Sequence, residues 1–81
     1  MQVTDQHLED PDTLYRYRVV FDDTLKYDQC RRTLNQMYGY GWDVRRTSEM
    51  PNAHWAMGMF YRAWTIYVRG EEELVALGLI Q

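Results

Sequence analysis

The stretch LYRYRVVF, Leu14 to Phe21, alternates tyrosine with arginine before it turns aliphatic. Successive side chains of a β-strand point to opposite faces. Tyr15, Tyr17, Val19 and Phe21 therefore share one face, and Leu14, Arg16, Arg18 and Val20 share the other. This period of two predicts a half-buried strand whose arginines point away from the core. Such a strand needs an apolar layer on one side only, which directs attention to what else in the chain supplies that layer.

The residues after this strand are helical in pattern. Asp22, Asp23 and Thr24 offer side-chain oxygens that cap the free amides of a helix. In KYDQCRRTLNQMYGYG, Tyr27, Cys30, Leu34 and Met37 fall on one helical stripe, with Arg31, Arg32 and Gln36 off it, and Gly39 or Gly41 supplies the left-handed residue that ends it. Cys30 is read as a small core residue. WDVRRTSEM, Trp42 to Met50, alternates again and predicts a second strand: Trp42 and Val44 lie on one side, Asp43, Arg45 and Thr47 on the other. Pro51 and Asn52 turn the chain. Met59 to Arg69 predicts a third strand, pairing with the second as an antiparallel hairpin, with Phe60, Trp64, Ile66 and Val68 inward and Thr65, Tyr67 and Arg69 outward. Ala53 to Gly58 extends that strand or forms a loop, with Gly58 a place for a bulge or bend. Gly70 ends the strand. Glu71, Glu72 and Glu73 then open a short helix as a solvated first turn that opposes the helix dipole, with Leu74, Leu77 and Val75 as its apolar face and Gly78 as its stop.

The expected fold is α+β in the order βαββα. A three-stranded antiparallel or mixed sheet carries its helices on one face, a truncated split βαβ arrangement with the third strand inserted between the first two. Residues 14–81 form this single domain, and residues 1–13, which carry Asp5, Glu9, Asp10 and Asp12 without a base, read as a flexible acidic arm. A chain of 81 residues has one small core, so much of its aromatic content is needed for folding alone.

Net charge is −3, yet residues 14–81 carry nine bases against eight acids, and eight of those bases are arginine. The face opposite the helices would collect Arg16, Arg18, Arg45, Thr47, Thr65, Tyr67 and Arg69. That is either an ordinary solvated face or a binding surface for a protein partner; single-stranded nucleic acid is the runner-up. TIYVRG presents one exposed aromatic where an RNA-recognition module presents two or three, and overall acidity weakens phosphate attraction. A second candidate surface is HWAMGMFY, where Trp55, Met57 and Met59 oppose Phe60 in parity and suggest an interface or a homo-oligomer contact.

Catalysis is not expected. His7 and His54 stand apart, no nucleophile, base and orienter can be assembled, and no phosphate loop, metal set or cofactor motif is present. Asp22 and Asp23 are capping residues on this reading. One cysteine excludes an internal disulfide. The first residues lack the layout of a signal peptide and no apolar run reaches the roughly 20 residues of a membrane helix, so a cytoplasmic protein is expected.

The layout of GWDVRRTSEM followed by AWTIYVRGEEELVALGL resembles small bacteriophage-encoded accessory proteins, in which an aromatic strand runs into a short acidic helix. The resemblance implies a protein that works by docking on a host enzyme or defence complex, as anti-CRISPR proteins do, and it carries over no functional residue.

Overall fold

The computed structural model describes residues 1–46, 52 and 54–78. Its elements run β1 (Gln2–Asp5), β2 (Tyr17–Val20), α1 (Thr24–Tyr38), β3 (Trp42–Asp43), β4 (Trp55–Phe60), β5 (Ala63–Val68) and α2 (Glu71–Ala76), with 3-10 turns at Gln6–Leu8 and Val44–Arg46. The fold is α+β. Its sheet has five strands in the order β1-β2-β5-β4-β3, antiparallel except for the β3–β4 pair.

The alternation in Leu14–Phe21 is realised. Tyr15, Tyr17, Val19 and Phe21 are buried, and Tyr17 and Val19 meet Ile66 and Val68 of β5 and Trp55 of β4 in one core. Tyr27, Cys30 and Leu34 of α1 and Leu74 of α2 close that core, so both helices cover the same side of the sheet. Each such side chain contributes roughly 1.5–3 kcal/mol through lost apolar exposure. Asp23 caps α1 by accepting from the Leu25 amide at 2.9 Å, and Gly39 ends it at φ 91°. Met37 does not join the stripe. It is exposed, and Tyr38, four residues after Leu34, packs on the core instead, because a straight helix follows 3.6 residues per turn.

Four expectations are corrected. Residues 1–13 are not a flexible arm. Gln2–Asp5 pairs antiparallel with β2, Arg16 donates to Asp5 at 2.9 Å, and His7 Nε2 lies 2.7 Å from the Thr13 carbonyl. Of the acids that suggested a tail, Asp5 is a partner of the sheet edge, whereas Glu9, Asp10 and Asp12 are exposed. Second, the sheet has five strands rather than three. Third, the strand expected over 42–50 shortens to two residues that run parallel to β4, followed by a 3-10 turn in which Asp43 captures the Arg45 amide at 2.9 Å. Residues 47–50 and Pro51 lie outside the described residues. Fourth, Met59–Arg69 is two strands. Tyr61 and Arg62, at φ 50° and 67°, form the two-residue turn between β4 and β5. Positive φ at both positions is what a tight hairpin turn requires, although Asn and Gly are the residues suited to it. Hence Phe60 pairs with Ala63 and leaves the core, while Ala53's successors from Trp55 onward prolong a regular strand.

Two glycines serve close approach. A Cβ on Gly58 would stand 3.0 Å from Val44 Cγ1 and 3.1 Å from the Tyr67 ring, so this glycine admits Val44 onto β4 rather than forming a bulge. A Cβ on Gly41 would stand 2.5 Å from the indole of Trp55, which is 1% exposed and donates from Nε1 to the Gly39 carbonyl at 2.9 Å. Gly41→Ala must therefore displace a fully packed ring; we expect a loss of about 1–3 kcal/mol, read as a lowered urea midpoint.

Candidate functional site

The arginine face predicted from parity is not an open surface. Ala56 and Thr65 lie on the side of the sheet away from the helices and are fully buried. Arg18, registered opposite Tyr67, carries its guanidinium over the Phe60 ring at 3.7 Å from the centroid, and so crosses the Thr65 row. Its Nη1 reaches Gln6 Oε1 at 3.4 Å, and its Nε is buried without a hydrogen-bond partner. Arg18 therefore acts as a cover whose aliphatic stem and planar head exclude water from the second face. Tyr67 is half-buried beside it, and burial raises its phenol above the ordinary range. Arg16 donates from Nε to both oxygens of Asp5 and from Nη2 to Oδ2. Arg69 is exposed just beyond β5, and its amide donates to the His54 carbonyl.

The remaining candidates separate as well. Arg45 leaves the sheet for the 3-10 turn, where Asp43 takes its Nε at 3.1 Å and its Nη2 at 2.8 Å. Trp55, expected at the surface, belongs to the core, because β4 begins at Trp55 rather than at Met59 and puts odd-numbered residues inward. Met57 packs against the core from the same side, and Met59 is 54% exposed. The second predicted surface is thus reduced to its outer end. His54, apparently isolated in sequence, places Nδ1 2.9 Å from Oε1 of buried Glu73 and stacks on Tyr38 at 4.2 Å. Glu73 also accepts from the Gly70 amide at 3.1 Å, so it is not part of a solvated helix start. This pair joins the start of β4 to α2.

A concavity lies elsewhere, between α1 and the edge of the sheet that ends in β3. It is a groove of about 760 Å³, with Tyr27 and Arg31 on the α1 side, Tyr40 and Trp42 opposite, and Met57 and Met59 beneath. Trp64, 46% exposed, closes one end and stacks on Tyr27 at 5.3 Å with 24° between the planes. Tyr40, 64% exposed, meets Trp42 edge-on at 5.4 Å, and the Arg46 guanidinium lies over the Trp42 ring at 5.9 Å from its centroid. A smaller depression of about 160 Å³ adjoins it, sharing Arg31, Tyr40 and Met57 and reaching Trp55 between Arg32 and Asn35.

Electrostatics at the groove are set by two carboxylates. Asp28 receives Arg31 at 2.6 Å and Arg32 at 3.0 Å, and the hydrogen bond from Arg31 holds its carboxyl below the usual range. Asp43 is lowered from 3.8 to about 2, chiefly by the Arg45 side chain and then by the Arg45 amide. Sequence reasoning missed Tyr40, Trp42 and Trp64 as a group because parity assigned Trp64 to the core. The one available signal was the position of Arg31 and Arg32 off the buried helical stripe. The chain matches no known protein family, no curated protein and no solved structure.

Two outcomes follow. Arg18→Ala should cost about 1 kcal/mol through lost packing, whereas Arg69→Ala should stay within about 0.5 kcal/mol, both by urea denaturation. Because the Asp43 carboxyl is lowered, its contribution is complete above its ordinary 3.8 and is lost as pH falls toward about 2. Carboxyl NMR titration should show that midpoint, and Arg45→Ala should move it back up.

Proposed function

We propose that this chain is a small non-enzymatic binding protein whose docking site is the groove between α1 and the β3–β4 edge. The observation that carries this reading is the gathering of apolar side chains there: exposed Tyr40, Met59 and Trp64 and half-buried Trp42 line one concavity. Leaving such side chains in water forgoes burial energy that a small core can ill spare, and aromatic residues with arginine are the composition of interface hot spots. The hairpin tip adds to it. Tyr61, next to Met59 in the same hairpin, is 89% exposed at positive φ, and strained backbone is concentrated at functional positions.

The partner on this reading is a protein, a host enzyme or defence complex in the cytoplasm as the resemblance to phage accessory proteins implies. The runner-up uses the same groove for single-stranded nucleic acid, since Trp64, backed by Tyr27, offers a ring face for a base. A homo-oligomer joined through Met57 to Tyr61 is the third arrangement. Among the described residues no helix is long and apolar enough to cross a membrane.

The test is capture of a partner from host lysate with the intact chain, with Trp42→Ala, with Met59→Asp and with Arg69→Ala. The reading expects the two groove substitutions to abolish capture and Arg69→Ala to leave it intact. A partner retained equally by all four overturns it, as does binding of labelled single strands that falls steeply with salt in the absence of any protein partner. Light scattering that shows a dimer abolished by Met59→Asp would favour the oligomer.

A further inference from the structure

We propose that the groove's occupant is an extended acidic segment of a partner protein, laid beside β4 with a carboxylate received by Arg31 and Arg32; this rests on the groove being the docking site. Three observations converge on it. The first is charge. Among the described residues, the smaller depression is lined by Arg31 and Arg32 and by no carboxylate, on a chain whose net charge is −3. Asp43 is matched by Arg45, but Asp28 serves both Arg31 and Arg32. One carboxylate cannot neutralise two guanidinium groups, so an unbalanced positive charge stands on the rim of the smaller depression. Guanidinium is weakly hydrated and suited to carboxylate recognition.

The second is shape. The smaller depression is bounded by Tyr40, Met57 and the edge of Trp55, with Arg31, Arg32 and the Asn35 side chain around it. It accepts an apolar side chain with an acidic neighbour close by, and about 160 Å³ is the scale of one aliphatic side chain rather than of a nucleobase with its sugar.

The third is the backbone edge. The Arg69 amide donates to the His54 carbonyl at 2.9 Å, which makes 54, 56, 58 and 60 the β4 residues that face β5. Trp55, Met57 and Met59 accordingly present their N–H and C=O groups to the opposite side. β3 is registered only with Ala56 and Met57. Beyond it, the main-chain groups of Met59 have no strand alongside among the described residues. An extended chain entering the groove can take up these groups and continue the sheet, the mode in which backbone bonds give affinity and alternate side-chain pockets give selectivity.

The experiment is fluorescence anisotropy of two dye-labelled synthetic peptides, one alternating Asp with Leu and one alternating Asn with Leu, together with labelled oligothymidylate. The intact chain should bind the Asp-Leu peptide with affinity that declines as salt rises, and bind the Asn-Leu peptide roughly tenfold or more weakly. Arg31→Glu with Arg32→Glu should weaken the Asp-Leu peptide by roughly tenfold. Met59→Pro removes an outward N–H while leaving the β5 ladder intact, and should weaken both peptides. Equal binding of both peptides, or indifference to the charge reversal, overturns the acidic assignment. If capture of a partner still depends on Trp42 while the Asp-Leu peptide gains nothing from its charge, the docking site survives and the acidic occupant does not. Oligothymidylate bound more tightly than either peptide overturns it also.

Discussion

The packing of Trp55 against Gly41 is the contact on which the rest of the molecule turns. The indole is large, fully enclosed and hydrogen-bonded to the carbonyl of Gly39, the residue that ends α1. One ring therefore fixes the end of the helix, the start of β3 and the inner face of β4 relative to each other. Without a side chain at 41, the connection passes directly over the ring face. The two walls of the groove descend from that arrangement: α1 carries Tyr27 and Arg31, the connection carries Tyr40 and Trp42, and their separation is set by the ring between them.

Much of this was legible in the sequence where a single period governed a segment. The strand through Tyr17–Val20, the helix with its Asp23 cap and Gly39 stop, and the short acidic helix from Glu71 all follow from local pattern, since backbone geometry imposes periods of two and 3.6 on buried faces. Legibility failed where segments were short or buried on both sides. Ala53–Phe60 mixes apolar residues on both parities because Ala56 is covered as completely as Trp55, and a strand buried on both faces does not alternate. The turn at Tyr61 and Arg62 carried none of the Asn or Gly that marks a hairpin. The acidic lead-in reads as solvated throughout, and only long-range contacts, the β1–β2 pairing and the Asp5–Arg16 ion pair, bring its first residues into the sheet. The groove was the least accessible of all, since its residues come from three separate segments.

Charge is sorted in space more than in sequence. Several arginines are spent on internal work: Arg16 ties β1 to the strand beside it, and Arg18 roofs the second face over Phe60. Both had looked like free surface cations. The glutamates of α2 are similarly engaged, with Tyr17 donating to Glu71 at 3.3 Å, Tyr38 donating to Glu72 at 3.4 Å and His54 beside Glu73. Arg31 and Arg32, which share Asp28, leave positive charge where α1 faces the groove.

The hairpin tip carries a further implication. Tyr61 and Arg62 occupy left-handed backbone that would suit Asn and Gly better, so the β4–β5 ladder has to impose this conformation on residues that resist it. Stability and presentation are in direct competition at this point of the molecule: relaxing the loop would strengthen the scaffold and erase its most protruding aromatic ring. Tyrosine at this position weakens the fold and leaves an aromatic ring almost fully in water.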